Sequence, residues 1–194
     1  MQKNLLEHKL QALRIKQEKV NRVWRKTGNK ELLQFFVDIM PRVLHAERCS
    51  IFVLDPENEN IWLQCGTGLS EKQVTVPQRD SLVGQVISTG ECRQETDMDM
   101  LVGSHGIVDM QTGFVTRSAL CVPVHGISQE RVTGAVQVLN KLGGKSFDDD
   151  DRALLERLAR QLQLNIENIF LRQELAIIST EMNDKIALLE SRLC

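Results

Sequence analysis

Few groups in this sequence combine a reactive type with a telling position, and most of them are suited to binding. Asp80-Ser81-Leu82-Val83 reads as the capped start of a short helix that Gly90 stops. The first amides of a helix have no partner within it and lie at the positive end of its dipole. The backbone N–H groups of Leu82 and Val83 therefore suit an anion without any Lys or Arg beside them. An ordinary capped helix carries the same residues. Ser50 and Gln137 interrupt apolar, strand-like runs. Facing inward, each must be paired with a ligand or a neighbouring backbone group, since an unpaired buried polar group is costly. Facing outward, each meets solvent, and the pattern leaves both orientations open. Asp109, Thr112 and Thr116 would share one face of a helix at i, i+3 and i+7, although Gly113 argues against a continuous one. His105 is a lone loop histidine that titrates near neutrality.

Catalytic patterns are missing. The five cysteines (Cys49, Cys65, Cys92, Cys121 and Cys194) are scattered, odd in number and never at CxxC spacing, which predicts neither a metal site nor a disulfide framework. Cys49 and Cys121 sit in apolar runs as small core residues, leaving Cys65 and Cys92 at loop edges. No phosphate-binding GxxxxGK loop and no Ser-His-Asp pattern is present. A net charge of −2 does not attract nucleic acid or an anionic membrane, and six Phe, two Trp and no Tyr make poor stacking platforms. No apolar run approaches the roughly 18 residues of a membrane span. The chain is read as soluble and cytoplasmic.

The elements that must position these groups follow from periodicity. Residues 2–26 carry Leu6, Leu10, Leu13, Val20 and Trp24 in alternating steps of four and three, with Gln17 in the one vacant place, a narrow coiled-coil seam. After Thr27-Gly28-Asn29, a helix over Lys30–Leu44 presents Leu33, Phe36, Val37 and Met40 as a stripe wide enough to pack on a sheet, with Pro41 predicting a kink or an early end. Strands are expected at Cys49–Leu54, Ile61–Cys65 and Gln73–Val76, then a helix over Leu82–Thr89. Glu95–Thr112 has no clean period and predicts short helices and loop. The hairpin Ser118–Val124 and Val132–Leu139, joined across the polar stretch His125–Arg131, is expected to floor a ligand pocket. From Asp148 to Leu193 the chain reads as one long helix, its second half narrowing to Leu171, Leu175, Ile178, Met182, Ile186, Leu189 and Leu193 with one stutter. That seam runs to Cys194 without a cap, as in a piece cut from a longer protein.

Three stretches together resemble a GAF domain, and more narrowly the GAF domains of cyclic-nucleotide phosphodiesterases and cyanobacterial adenylyl cyclases. They are Arg48–Asp55 (RCSIFVLD), Ser81–Glu91 (SLVGQVISTGE) and Thr112–Lys141, from TGFVTRSALCVPV into GAVQVLNK. The subfamily signature of Asn-Lys, a variable gap, Phe, three residues and Asp-Glu reads here as Asn140-Lys141, Phe147 and Asp151, with Arg152 in place of Glu. The resemblance implies an α+β fold: a GAF-like antiparallel sheet with helices packed on it, flanked by long N- and C-terminal coiled-coil-type helices. It divides the chain into an N-terminal helix (1–28), the domain (29–172) and an extension of the closing helix (173–194).

The same resemblance implies a cyclic nucleotide, cAMP or cGMP, as ligand. Its phosphate would meet Leu82 and Val83, its base Ser50 and Gln137, and its ribose and base the lid residues Asp109, Thr112 and Thr116. Lys141 and Asp151 would form a structural link from the last strand to the closing helix. Gln137 can donate and accept, so it does not choose between the two bases. Gly66 and Thr67 stand where some relatives stack an aromatic ring and an Asp, a loss of about 1–3 kcal/mol on the scale of base–aromatic contacts. His105 stands where an aromatic hydroxyl approaches the phosphate, and if protonated it would make binding pH-sensitive. The expected function is a non-catalytic sensor that closes an Asp97–Thr116 lid over the ligand and relays the change through homodimeric helices to an output domain. The alternatives are a dimerisation scaffold with a degenerate pocket and, as an enzyme, a free-methionine-sulfoxide reductase, whose clustered thiols the sequence does not match.

Overall fold

The computed structural model describes residues 29–56, 60–69, 74–98, 113–126 and 131–191. The N-terminal seam of residues 2–26 lies outside them. Six antiparallel strands form one sheet in the order β3-β2-β1-β6-β5-β4. The strands are β1 (Ala46–Leu54), β2 (Asn60–Gly66), β3 (Thr75–Pro77), β4 (Arg93–Thr96), β5 (Ser118–His125) and β6 (Val132–Lys141). Helices α1 (Asn29–Val43) and α3 (Asp149–Ser191) cover one face, and α2 (Leu82–Thr89) covers the other.

Alternation along the central strands divides two apolar clusters. Cys49, Ile51 and Val53 of β1 and Val136 and Val138 of β6 pack under Leu33, Val37 and Met40 of α1 and Leu155, Leu162 and Ile166 of α3. On the other face, Phe52, Leu63, Cys121 and Ala135 pack under Val83, Val86 and Ile87 of α2. Successive strand side chains point to opposite faces, so Ser50 and Gln137 fall on the α2 face with the second set. A β-bulge modifies this rule in β2: Ile51 pairs with Cys65 but Phe52 with Leu63, leaving Gln64 as the extra residue. The insertion swaps the faces beyond it. Cys65 then joins the α1 and α3 cluster, and Gly66 comes opposite Ser50.

The observed elements differ from the expectation in places with identifiable causes. The central strands run longer, to Ala46 and Lys141, because ladder pairing continues to Ala46, a small core residue opposite Lys141. α1 passes through Pro41 and ends at Val43; His45 then turns the chain with φ +49. β4 was not anticipated: its sequence RQET has no apolar alternation, because it is a short edge strand paired only with β5. The third strand lies at Thr75–Pro77, and Gln73, where it was expected to begin, lies outside the described residues.

α3 is the longest element, 43 residues or about 65 Å. Its start is a reciprocal capping box: Asp151 N–H donates to Asp148 Oδ1 (2.9 Å) and Asp148 N–H to Asp151 Oδ2 (3.0 Å). The helix packs on the sheet as far as Phe170, after which Leu171, Leu175, Ile178 and Met182 are exposed by 37–58%. Among the described residues no helix is long and apolar enough to cross a membrane.

Candidate functional site

The α2 face of the central strands holds the candidate site. Ser50 is directly opposite Gln137 across the β1–β6 ladder and opposite Gly66 across β1–β2; Gln137 in turn is opposite Cys121 of β5. Four adjacent strands thus contribute Gly66, Ser50, Gln137 and Cys121 as one row, with side chains on one side. Ser50 is buried and Gln137 half-buried. No hydrogen bond joins the Ser50 hydroxyl or the Gln137 amide to another of the described residues. Gly66 is closely surrounded: a Cβ there would lie 3.1 Å from Ser50 Oγ, 3.2 Å from Leu63 Cδ1 and 3.4 Å from Leu69 Cβ. Thr67 is turned to the backbone of β1, where Oγ1 accepts from Cys49 N (3.1 Å) and donates to Cys49 O (3.3 Å). In this structure Thr67 fixes the end of β2 and has its hydrogen bonds satisfied by protein.

At the start of α2, Ser81 has extended backbone and its Oγ accepts from Gly84 N (2.9 Å) while donating to Pro77 O (2.6 Å). The cap therefore occupies the Gly84 amide and leaves the two preceding ones, Leu82 and Val83, outside its reach. The side chains of Leu82 and Val83 pack in the cluster that also holds Cys121 and Ala135, on the same face of the sheet as the row described above. The first turn carries no acidic residue to oppose an anion. Gly84 is required by close approach, since a Cβ would lie 2.0 Å from Gln78 O.

Thr116 is buried at 4% exposure in the segment entering β5, where Phe114, Thr116 and Ser118 turn inward more than Val115 and Arg117. Lys141 Nζ lies 2.6 and 2.7 Å from the two carboxylate oxygens of Asp151, with both side chains 11% exposed. The expected contacts of His105, Asp109 and Thr112 fall on residues outside those described.

Sequence reasoning missed three residues here. Cys121 completes the row through strand register, which no single-strand pattern reveals. Arg48 shares the face of Ser50, and its guanidinium lies 4.0 Å from the centroid of the Phe114 ring. Asn140 holds the segment 115–118 with its side chain, its Oδ1 accepting from Arg117 N at 2.7 Å and its Nδ2 donating to Val115 O at 2.8 Å. The Asn-Lys signature pointed at Asn140 without giving it a task.

The thiols are poorly suited to nucleophilic work. Burial pushes Cys121 well above the ordinary thiol value and Cys49 far up as well; Cys92, only partly buried, is raised chiefly by burial too. Cys65 donates to Gln34 Oε1 at 3.1 Å. No group of three metal-ligating side chains exists among the described residues. A separate open cleft of about 600 Å³ lies between the Gly90–Cys92 turn and the first half of α3. Its Arg152 is paired with Glu156 (3.0 Å) and its Gln163 with Gly126 O (2.6 Å).

Comparison with known proteins agrees with the fold. The family model described as the GAF domain matches residues 29–168. Over 60 residues the chain is 43% identical to the dual 3′,5′-cyclic-AMP and -GMP phosphodiesterase 11A of Takifugu rubripes, a segment covering 31% of this chain and 6% of that protein's length. Among solved structures, the GAF domain of an Acinetobacter phosphoenolpyruvate-protein phosphotransferase superposes with a TM-score of 0.61 at 23% identity, covering 77% of this chain and 88% of that one. The type II free methionine-R-sulfoxide reductase of Thermoplasma acidophilum gives 0.57 at 15% identity, covering 72% and 93%. At these identities the two structures share the fold alone.

Proposed function

This chain belongs to the GAF domain family of small-molecule-binding regulatory modules, and from that premise we propose that it is a non-catalytic sensor for a cyclic nucleotide, cAMP or cGMP. The observation that carries the reading is the pair Ser50 and Gln137. They are adjacent on one face of the inner strands and have no hydrogen-bond partner among the described residues. A purine edge would supply the missing donors and acceptors. The phosphate would lie against the Leu82 and Val83 amides at the start of α2, with Thr116 at the ribose and base. The same reading gives Gly66 and Thr67 to the wall of the pocket, and Asp109, Thr112 and His105 to its cover. The partial relative is a phosphodiesterase for both nucleotides, which supports the ligand class without choosing between them.

The division of labour proposed is an N-terminal helix over 1–28, the ligand-binding domain over 29–172 and an extension over 173–194. Exposed Leu171, Leu175, Ile178 and Met182 form an apolar strip that runs from the end of the domain into the extension, suited to a second copy of the helix. A homodimer joined there would pass the ligand's preference for one helix arrangement to an output domain. A cytoplasmic setting accompanies that ligand. The raised thiol values of Cys49, Cys92 and Cys121 weigh against the reductase chemistry of one structural neighbour.

One observation favours a scaffold with a closed pocket instead. Leu63 and Leu69 crowd Gly66, on the side where some relatives carry a stacking ring. Thermal melting decides between the readings. At a hundredfold excess over Kd, a ligand that binds only the folded state adds about 2.7 kcal/mol, or about 5–10 °C in midpoint for a domain of this size. The expected result is a rise with cAMP or cGMP that Ser50→Ala and Gln137→Ala reduce. No shift with either nucleotide would leave the scaffold, and thiol-dependent reduction of free methionine sulfoxide would establish the enzyme.

A further inference from the structure

Independently of any ligand, we infer that the neck of the β5–β6 hairpin is a salt-sensitive latch on α3. It sets how much of that helix stays on the domain, and so where its apolar strip begins. The neck is the pair Gly126 and Arg131, just past the His125–Val132 pair that ends the ladder; Gly126 N–H donates to Arg131 O at 2.8 Å. Each of the two grips the helix. Gly126 O accepts from Gln163 Nε2 at 2.6 Å, and a Cβ at Gly126 would lie 3.0 Å from Glu167 Oε1, an approach that the missing side chain eases. Arg131 meets both carboxylate oxygens of Glu174, at 2.8 and 3.0 Å, and its guanidinium lies 4.4 Å from the centroid of the Phe170 ring. Gln163, Glu167, Phe170 and Glu174 follow one another by four, three and four residues, so one face of α3 carries all four.

The two grips differ in kind. The bond from Gln163 is neutral and partly buried, whereas the side chains of Arg131 and Glu174 are 41% and 32% exposed. An ion pair that open to water is weak and screened by salt, so this is the grip that yields first. It stands where the helix leaves the core. Phe170 is 4% exposed, and the next residue, Leu171, already 37%. The Arg131 guanidinium covers one face of the Phe170 ring, and Glu174 holds it there. With the pair closed, the strip of Leu171, Leu175, Ile178 and Met182 begins after the ring. With the pair open, the ring loses its cover and joins the strip, and the turn that carries it is held by the sheet alone.

Hydrogen exchange on the full chain tests the latch, read at residues 166–174 with Ile51–Leu54 as the reference. Glu174→Gln removes one charge and no packed contact, so it should fold normally and raise exchange about threefold. Arg131→Ala also uncovers Phe170 and should raise it about tenfold. Arg131→Lys should fall between the two, because an ammonium makes neither the paired bonds nor the planar stack. A dye that fluoresces on apolar surface should bind Arg131→Ala more than the unaltered protein. Raising salt from about 0.1 M to about 1 M shortens the screening length from about 10 Å to about 3 Å. That change should bring the unaltered protein to the level of Glu174→Gln while leaving the variant where it was. Gln163→Ala tests whether one neck carries both grips: exchange near Glu174 should rise as well, about three helical turns away. A rise confined to the turn around Gln163 would make the grips independent and overturn the latch. So would unchanged exchange at 166–174 in both Glu174→Gln and Arg131→Ala, or a salt response that Glu174→Gln retains.

Discussion

Gly84 and Asp148 show how single positions set the two helix starts that matter. A methyl group at Gly84 would lie 2.0 Å from Gln78 O, and backbone cannot yield as a flexible side chain can. Gly84→Ala should cost about 1–3 kcal/mol by chemical denaturation, as overpacking does, and should weaken the proposed nucleotide binding by displacing the Leu82 and Val83 amides. At the other helix, the Asp151 backbone amide, helped by nearby Lys141, holds the Asp148 carboxyl below its ordinary value. A carboxyl lowered in the folded state contributes stability that is complete above its unfolded value and lost as pH falls through the folded one. Fraying at Asp149–Leu155 should therefore begin only in acid, below the ordinary value of 3.8, and Asp148→Asn should remove that acid step from hydrogen exchange at the helix start. The site pair Ser50 and Gln137 obeys a simpler rule, since strand register alone makes them neighbours.

Elements add what residues cannot. One extra residue in β2 turns Gly66 toward Ser50 and sends Cys65 to the opposite cluster, so the makeup of the site depends on a bulge. α3 has two zones with different neighbours. Up to Phe170 it is held by the sheet, and Arg131 reinforces it with paired bonds to Glu174 (2.8 and 3.0 Å) and a position 4.4 Å over the Phe170 ring. Beyond that zone, Leu175 and Ile178 are 58% and 50% exposed. If the proposed homodimer forms along this strip, Leu175→Glu with Ile178→Glu should convert it to a monomer by light scattering while leaving the melting of the domain within about 2 °C, because surface changes away from packed contacts cost little. A dimer that survives both charges would place its interface elsewhere.

The described residues form a single sheet shared by two apolar clusters, with the row of Ser50 and Gln137 on one side and the long helix on the other. On the α3 side, strand and helix approach closely at Gly134, where a Cβ would lie 2.4 Å from Phe52 O of the neighbouring strand and 2.8 Å from Ile166 Cγ2 of the helix. Gly134→Ala should push α3 off β6. The expected loss is about 1–3 kcal/mol, read as a lower denaturation midpoint with one cooperative transition. Two separated transitions would mean that the clusters fold independently, and a signal could not then cross the sheet by packing alone.

Periodicity and local stops sufficed for much of this. The amphipathic stripe of α1, the Ser81 and Gly90 boundaries of α2, the β5–β6 hairpin and the uninterrupted run of α3 all depend on near neighbours, so the linear order of residues determined them. The short motifs at Arg48–Asp55, Ser81–Glu91 and Asn140-Lys141 were sufficient to indicate the family. Tertiary structure alone decided that Cys121 completes the row with Ser50, that the Gln64 bulge presents Gly66 there, and that RQET forms an edge strand. It also gave Thr67 to the backbone and Asn140 to the segment beside Thr116. The physical reason is common to all of these. Facing, register and side-chain pairing are relations between segments distant in the chain, and a one-residue slip in a strand exchanges its two faces without altering any local propensity.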